Sequence, residues 1–240
     1  MRPAAVRNVA AEFVGTVIVM LGGPGLIVLG REVNRLELAI GFGLATAISI
    51  GVIGAVANPM FSLALWFARG IRGSELLFDW LGQLLGALFG AAVLFGLNDA
   101  DRFDNGANGW QPGDSVPAGV DLDVHVSGFA NLGIVIGAEF IVCTLVVVVL
   151  LSAIWEQASN AVAAAFVGGA VTIGSLFLFP ISGAGLNPAR SLAMAIFADT
   201  DPNALRQVWV FIVVPLLAAF AGLLVWLAIS EATMDDTVLE

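Results

Sequence analysis

Ser182-Gly-Ala-Gly-Leu-Asn-Pro-Ala-Arg-Ser191 interrupts a strongly apolar stretch with two glycines, an Asn-Pro pair and an arginine. Gly183 and Gly185 let the backbone turn sharply. Asn187 is a favourable N-cap, and Pro188 suits the first helical position, where its missing N–H costs nothing. The spacing predicts a short helix from Pro188 to Phe197. That helix is too short to cross a bilayer, which takes about 20 residues. A half-helix that begins inside a membrane, with an arginine beside its N-terminus, is a pore or binding-site device. The same punctuation occurs earlier, at Ala57-Asn58-Pro59-Met60.

The composition places the chain in a membrane. Its 240 residues are 59% hydrophobic and 12% charged, with a mean hydropathy of +0.98, outside the range of soluble domains. The first apolar run follows Arg2 and Arg7; it is long for a signal peptide and reads as a retained helix. Cys143 is alone, which excludes an intrachain disulfide and argues against a cysteine metal site. The lone His125 lies in a polar loop without a second histidine, so neither metal nor cofactor is expected. All nine basic residues are arginine, and the net charge of −10 argues against nucleic acid as a partner. Acidic, lysine-free loops fit a high-salt habitat.

Six spans are expected: Val9 to Leu29, Leu36 to Gly54, Leu76 to Leu97, Gly128 to Leu151, Asn160 to Phe179 and Val208 to Ile229. Short helices from Pro59 to Ala68 and from Pro188 to Phe197 fall between them. The chain reads as one domain: a first repeat over 9–97, an acidic linker over 98–127, a second repeat over 128–229 and an acidic tail over 231–240. Each repeat runs span, span, half-helix, span. Ala11-Glu12-Phe13 recurs as Ala138-Glu139-Phe140 (139 − 12 = 127), and Asn58-Pro59 as Asn187-Pro188 (187 − 58 = 129), which indicates duplication. Three spans per repeat is an odd number, so the second copy enters from the opposite side and the half-helices meet near the midplane. The expected fold is therefore all-α, six transmembrane helices plus two re-entrant half-helices in an inverted repeat. Gly82, Gly86 and Gly90, and Ala218 with Gly222, form small-residue stripes for helix packing. Trp80, Trp155, Trp209 and Trp226 read as interfacial anchors, and Asp79 as an interfacial residue. The aspartates of the linker read as solvated. The arginines divide evenly between the two sides and leave orientation open.

Two facing half-helix N-termini concentrate positive potential at the midplane. Asn58 and Asn187 then offer amide donors to water or a hydroxyl, while a cation is repelled and a proton wire interrupted. Arg190 is expensive inside a membrane, which argues for a water-filled lining. An Asn-Pro pair by itself merely starts a helix; two in inverted order, one beside an arginine, indicate a pore.

At these residues the chain resembles the aquaporin, or major intrinsic protein, family. The resemblance covers nearly everything from Glu12 to Ile229. It rests on Leu186-Asn-Pro-Ala-Arg-Ser191, on Asn58-Pro59-Met60, on Glu12 and Glu139, and on Gln83. Met60 departs from the alanine usual at that position. The resemblance implies a pore in each subunit, usually a homotetramer, with Asn58, Pro59, Met60, Asn187, Pro188 and Ala189 as its asparagine motifs. It implies a four-residue selectivity filter at Arg190, Ala184, Ser175 and, in the second span, Phe42 or on an ungapped count Leu38. It also points to Glu12 and Glu139 as acceptors for the backbone N–H groups of the re-entrant loops. Water-selective members typically carry histidine at the position of Ser175. The expected function is therefore passive passage of water and small neutral solutes such as glycerol or urea across the cell membrane. The bulk of Met60 and a shortened approach to Asn58 pull towards a narrower junction.

The alternatives are a proton-coupled secondary transporter and a structural member with a closed pore. A transporter needs carboxylates around a midplane site, and neither Asn-Pro break offers one. No nucleophile with its base, metal cluster or phosphate loop points to an enzyme.

Overall fold

The computed structural model describes residues 4–30, 33–97, 103–111, 130–155 and 159–230. Most of the linker, His125 and the acidic tail lie outside them. The described residues are helical, without strands beyond one isolated bridge between Gln111 and Asn131. In chain order the helices are α1 (Ala4–Gly22), α2 (Pro24–Leu29), α3 (Arg35–Ile48), α4 (Pro59–Phe67), α5 (Gly73–Gly96), α6 (Leu132–Trp155), α7 (Asn160–Ser182), α8 (Pro188–Phe197), α9 (Ala204–Gln207) and α10 (Trp209–Ile229). Six stretches are long and apolar enough to span a membrane: Ala4–Leu29, Arg35–Ile53, Gly73–Gly96, Leu132–Trp155, Asn160–Ser182 and Ala204–Ile229.

Several boundaries have local causes. Asn34 and Glu37 form a capping box at the start of α3, each side chain accepting from the other's backbone N–H at 3.1 and 3.0 Å. The first span is divided at Gly23, because Pro24 opens α2 and offers no N–H to continue α1. The second span ends in a wider π-turn, Ser49–Ile53, closed by Gly54 in the left-handed conformation (φ 76°). Gly183 closes α7 in the same way (φ 77°), 129 positions later (183 − 54).

Packing follows the duplication. α1 lies on α5, α6 on α10, and α3 crosses α7 between the halves. A Cβ on Gly82 would stand 2.6 Å from the Val9 carbonyl oxygen, and one on Gly168 2.6 Å from that of Gly43, so backbones meet directly at both crossings. Leu77, Ile141, Phe166, Ile173 and Leu217 point outward in the apolar belt a lipid bilayer covers.

Two expectations need correction. Trp226 is buried rather than interfacial, with its ring 5.6 Å from that of Trp155 in an edge-on contact. Asp79 is also buried and accepts a hydrogen bond from Asn8 Nδ2 at 2.6 Å. Part of the linker also packs on the bundle. Phe103 is fully buried among Met20, Leu94 and Met194, which carries residues 103–111 back into the bundle.

Candidate functional site

The re-entrant segments before α4 and α8 begin as strained backbone. Ala57 (φ 52°), Ala184 (φ 57°) and Leu186 (φ 47°) all occupy the left-handed region that side chains disfavour by about 1–2 kcal/mol each. Carboxylates from neighbouring helices hold them there. Glu12 of α1 accepts from Val56 N at 2.9 Å and Ala57 N at 2.8 Å. Glu139 of α6 accepts from Gly185 N at 2.7 Å, Leu186 N at 3.1 Å and Ser182 Oγ at 2.5 Å. A hydrogen bond contributes about 0.5–1.5 kcal/mol net, so the two or three at each carboxyl group together offset the strain. Gln83 of α5 braces the first half, donating through Nε2 to Glu12 and to Ser62 Oγ, both at 2.8 Å.

Asn58 and Asn187 cap the half-helices. Asn58 Oδ1 accepts from Met60 N at 3.0 Å; Asn187 Oδ1 accepts from Ala189 N at 3.1 Å and Arg190 N at 3.2 Å. Their amide nitrogens then cross. Asn58 Nδ2 donates to the Leu186 carbonyl at 3.1 Å, and Asn187 Nδ2 to the Ala57 carbonyl at 2.7 Å. The two helix N-termini are thereby fixed face to face. Pro59, Met60, Pro188 and Ala189 are all buried behind the asparagines, Met60 in the largest apolar cluster.

Arg190 is fully buried on the first turn of α8. Its guanidinium carbon lies 5.4 Å from the centroid of the Phe42 ring, in cation–π range. Of the two second-span candidates it is Phe42 that meets the arginine; Leu38 packs in the apolar cluster with Met60. Phe179 stands edge-on to Phe42 at 5.6 Å, an aromatic neighbour that sequence reading did not single out. Nη2 of Arg190 donates to the Gly183 carbonyl at 3.2 Å, and Nη1 to Oδ1 of Asn108. No carboxylate among the described residues lies within 4.0 Å of it. Ser175 and Ala184 are buried, and Ser175 Oγ and Arg190 Nε lack a partner among the described residues.

Two clefts have polar linings, one at the start of α5 and one at the segment that follows it. One of about 720 Å³ is lined by Arg7, Asn8, Glu12, Gly54, Val56 and Asp79. The other, about 280 Å³, is lined by Asp104, Asn108, Gln111, Thr200 and Gln207. Facing half-helices with a donor-lined meeting point, and a buried arginine on the first turn of one of them, define a membrane channel of the paired half-helix class. The chain matches the family described as Major intrinsic protein over residues 1–226, and it belongs to that family. It is similar to Aquaporin Z of Brucella melitensis biotype 1, 30% identical over 233 residues, covering 92% of this chain and 96% of that protein. It is also similar to the lens fiber major intrinsic protein of Gallus gallus, 34% identical over 234 residues, covering 93% and 81%. Its fold is shared with the X-ray structure of the aquaglyceroporin from Plasmodium falciparum, with a TM-score of 0.72 at 20% identity, covering 93% and 96%.

Proposed function

We propose that this protein is a passive channel for water and for small neutral solutes of the glycerol or urea kind, working in the cell membrane as a homotetramer. The observation that carries the reading is the crossed pair of asparagine amides at two opposed helix N-termini. Each Nδ2 spends one hydrogen on the partner segment's carbonyl and keeps a second for a passing acceptor. Water and hydroxyls accept there. Cations meet the positive ends of two half-helices and then Arg190, the means by which aquaporin-type pores exclude them. A hydrogen-bonded water wire is also broken, because a water accepting from both amides cannot relay a proton through the junction.

Phe42, Ser175, Ala184 and Arg190 serve in this reading as the selectivity filter. Two of the four are small and one is aromatic, and the Ser175 hydroxyl and Arg190 Nε, without a partner among the described residues, supply polar contacts for a solute. Stopped-flow shrinkage of vesicles bearing the protein, run with sucrose and with glycerol as osmolyte, tests it. Expected are fast water efflux in both and rapid reswelling only in glycerol. A glycerol reflection coefficient near one sinks the wide filter; flux that collapses with a proton ionophore sinks the passive channel.

A further inference from the structure

Asn108 lies in the segment that follows α5, and nothing in the pore motifs calls for it. It is 4% exposed, and its carboxamide is fully used. Nδ2 donates to the carbonyls of Ser182 at 3.2 Å and Gly183 at 2.8 Å. Oδ1 accepts from Ser191 Oγ at 2.7 Å and from Arg190 Nη1. The segment is also held just after it. Gly109 N donates to the Ser182 carbonyl at 3.2 Å, while Trp110 and Gln207 exchange two hydrogen bonds, at 2.8 and 2.7 Å.

A residue that merely anchors the segment needs only the two bonds from Nδ2. The oxygen does something else: it takes Nη1, the terminal guanidinium nitrogen that the Gly183 carbonyl leaves free, and ties it to the next residue of α8. It does so without charge. An aspartate of the same shape would accept the same two bonds and cancel the arginine's charge at close range. We propose that Asn108 is a positioning residue for the constriction, fixing the Arg190 guanidinium beside Phe42 through a neutral acceptor so that its charge stays available to repel cations. This rests on the reading of Arg190 as the filter's cation.

The geometry separates two variants. In Asn108→Asp both bonds from Nδ2 are lost and a carboxylate replaces the neutral acceptor beside the guanidinium, so its charge is neutralised and sodium leak rises about tenfold or more. In Asn108→Ala the charge remains but the guanidinium is released. Sodium stays excluded, and the ratio of glycerol to water permeability shifts several-fold. The measurement uses the full chain in vesicles, with stopped-flow for water and glycerol and an entrapped sodium indicator. A loop-anchoring role would make the two variants alike. Arg190→Ala is the reference. If it leaks sodium and the two Asn108 variants behave alike, or like the unaltered protein, the positioning role is overturned and the filter reading stands. If Arg190→Ala does not leak, the filter reading falls and takes this one with it. Should Asn108→Ala fail to fold, Asn108→Ser takes its place as the uncharged variant: sodium leak in Asn108→Asp alone supports the proposal, and leak in both or in neither overturns it.

Discussion

Replacing Glu139 by leucine removes a single acceptor group on which three buried donors converge: Ser182 Oγ at 2.5 Å, Gly185 N at 2.7 Å and Leu186 N at 3.1 Å. Each donor left without a partner away from water costs about 1–3 kcal/mol. The hydroxyl can turn back to the Leu178 carbonyl, 3.3 Å away, so two backbone N–H groups carry most of the loss. The left-handed residue at Leu186 also loses the bond that holds it. The total is about 3–6 kcal/mol, a large share of the roughly 5–15 kcal/mol that keeps a domain folded. Glu139→Gln retains one acceptor oxygen and should cost less, about 1–3 kcal/mol. Unfolding in detergent, followed by helical circular dichroism, reads the stability, and vesicle shrinkage reads the pore. Water permeability per folded protein should fall in Glu139→Leu, because relaxation at Leu186 moves the carbonyl that fixes Asn58. Ser182→Ala should cost about 1 kcal/mol less in the leucine background than in the unaltered protein, since its partner is already gone. A leucine variant within 1 kcal/mol of the original, conducting water at the original rate, would refute the reasoning. The re-entrant segment would then be held by its packing alone.

Gly82→Leu should destabilise by more than the usual 1–3 kcal/mol of an overpacked core, because the new Cβ meets the Val9 carbonyl oxygen at 2.6 Å and Glu12 Cβ at 2.8 Å. Water permeability should fall with it, since Glu12 is displaced from Val56 and Ala57. Gly96→Ala, with nothing within 4 Å, is the neutral control in the same thermal and vesicle assays. Met60→Ala removes a fully buried side chain from the largest apolar cluster and should cost about 2–5 kcal/mol. Its water permeability per folded protein should match the original; flux that appears only in the variant would show instead that Met60 plugs the junction.

The spans and half-helices were legible because a bilayer demands long apolar runs, and Asn-Pro marks a helix start wherever it falls. α8 begins and ends where its residues place it. Asn108 was not legible, since the polar residues around it read as solvated loop. The available signal was Phe103 and Trp110, two large apolar side chains in a polar linker, which have reason to return to the bundle. Asp79 and Trp226 were misplaced by weighing nearness to a span end above helical spacing. Asp79 lies on the stripe that continues through Gln83, Gly86 and Gly90. Trp226 stands four residues after Gly222 and eight after Ala218, on the face that packs against α6. In both, the stripe of small residues should have outweighed position along the span.

The duplication explains what is made twice, and its breaks show what is made once. Gly54 and Gly183, Ala57 and Leu186, Asn58 and Asn187 each stand 129 positions apart (183 − 54, 186 − 57, 187 − 58) and share conformation or hydrogen bonding. The next equivalent positions diverge. Phe61 stands where the second half has Arg190, while Ser62 answers Ser191. Ser62 is held by Gln83 from within the membrane, but Ser191 is held by Asn108 from the linker. In the proposed reading the crossed amides form a symmetric barrier at the centre, built by sequence that repeats. The arginine is there a second barrier towards one mouth only, and its proposed neutral support comes from the segment that joins the repeats, outside either copy. A passive pore needs no direction. A single charged ring nevertheless suffices for both directions of flow, because every solute passes it once.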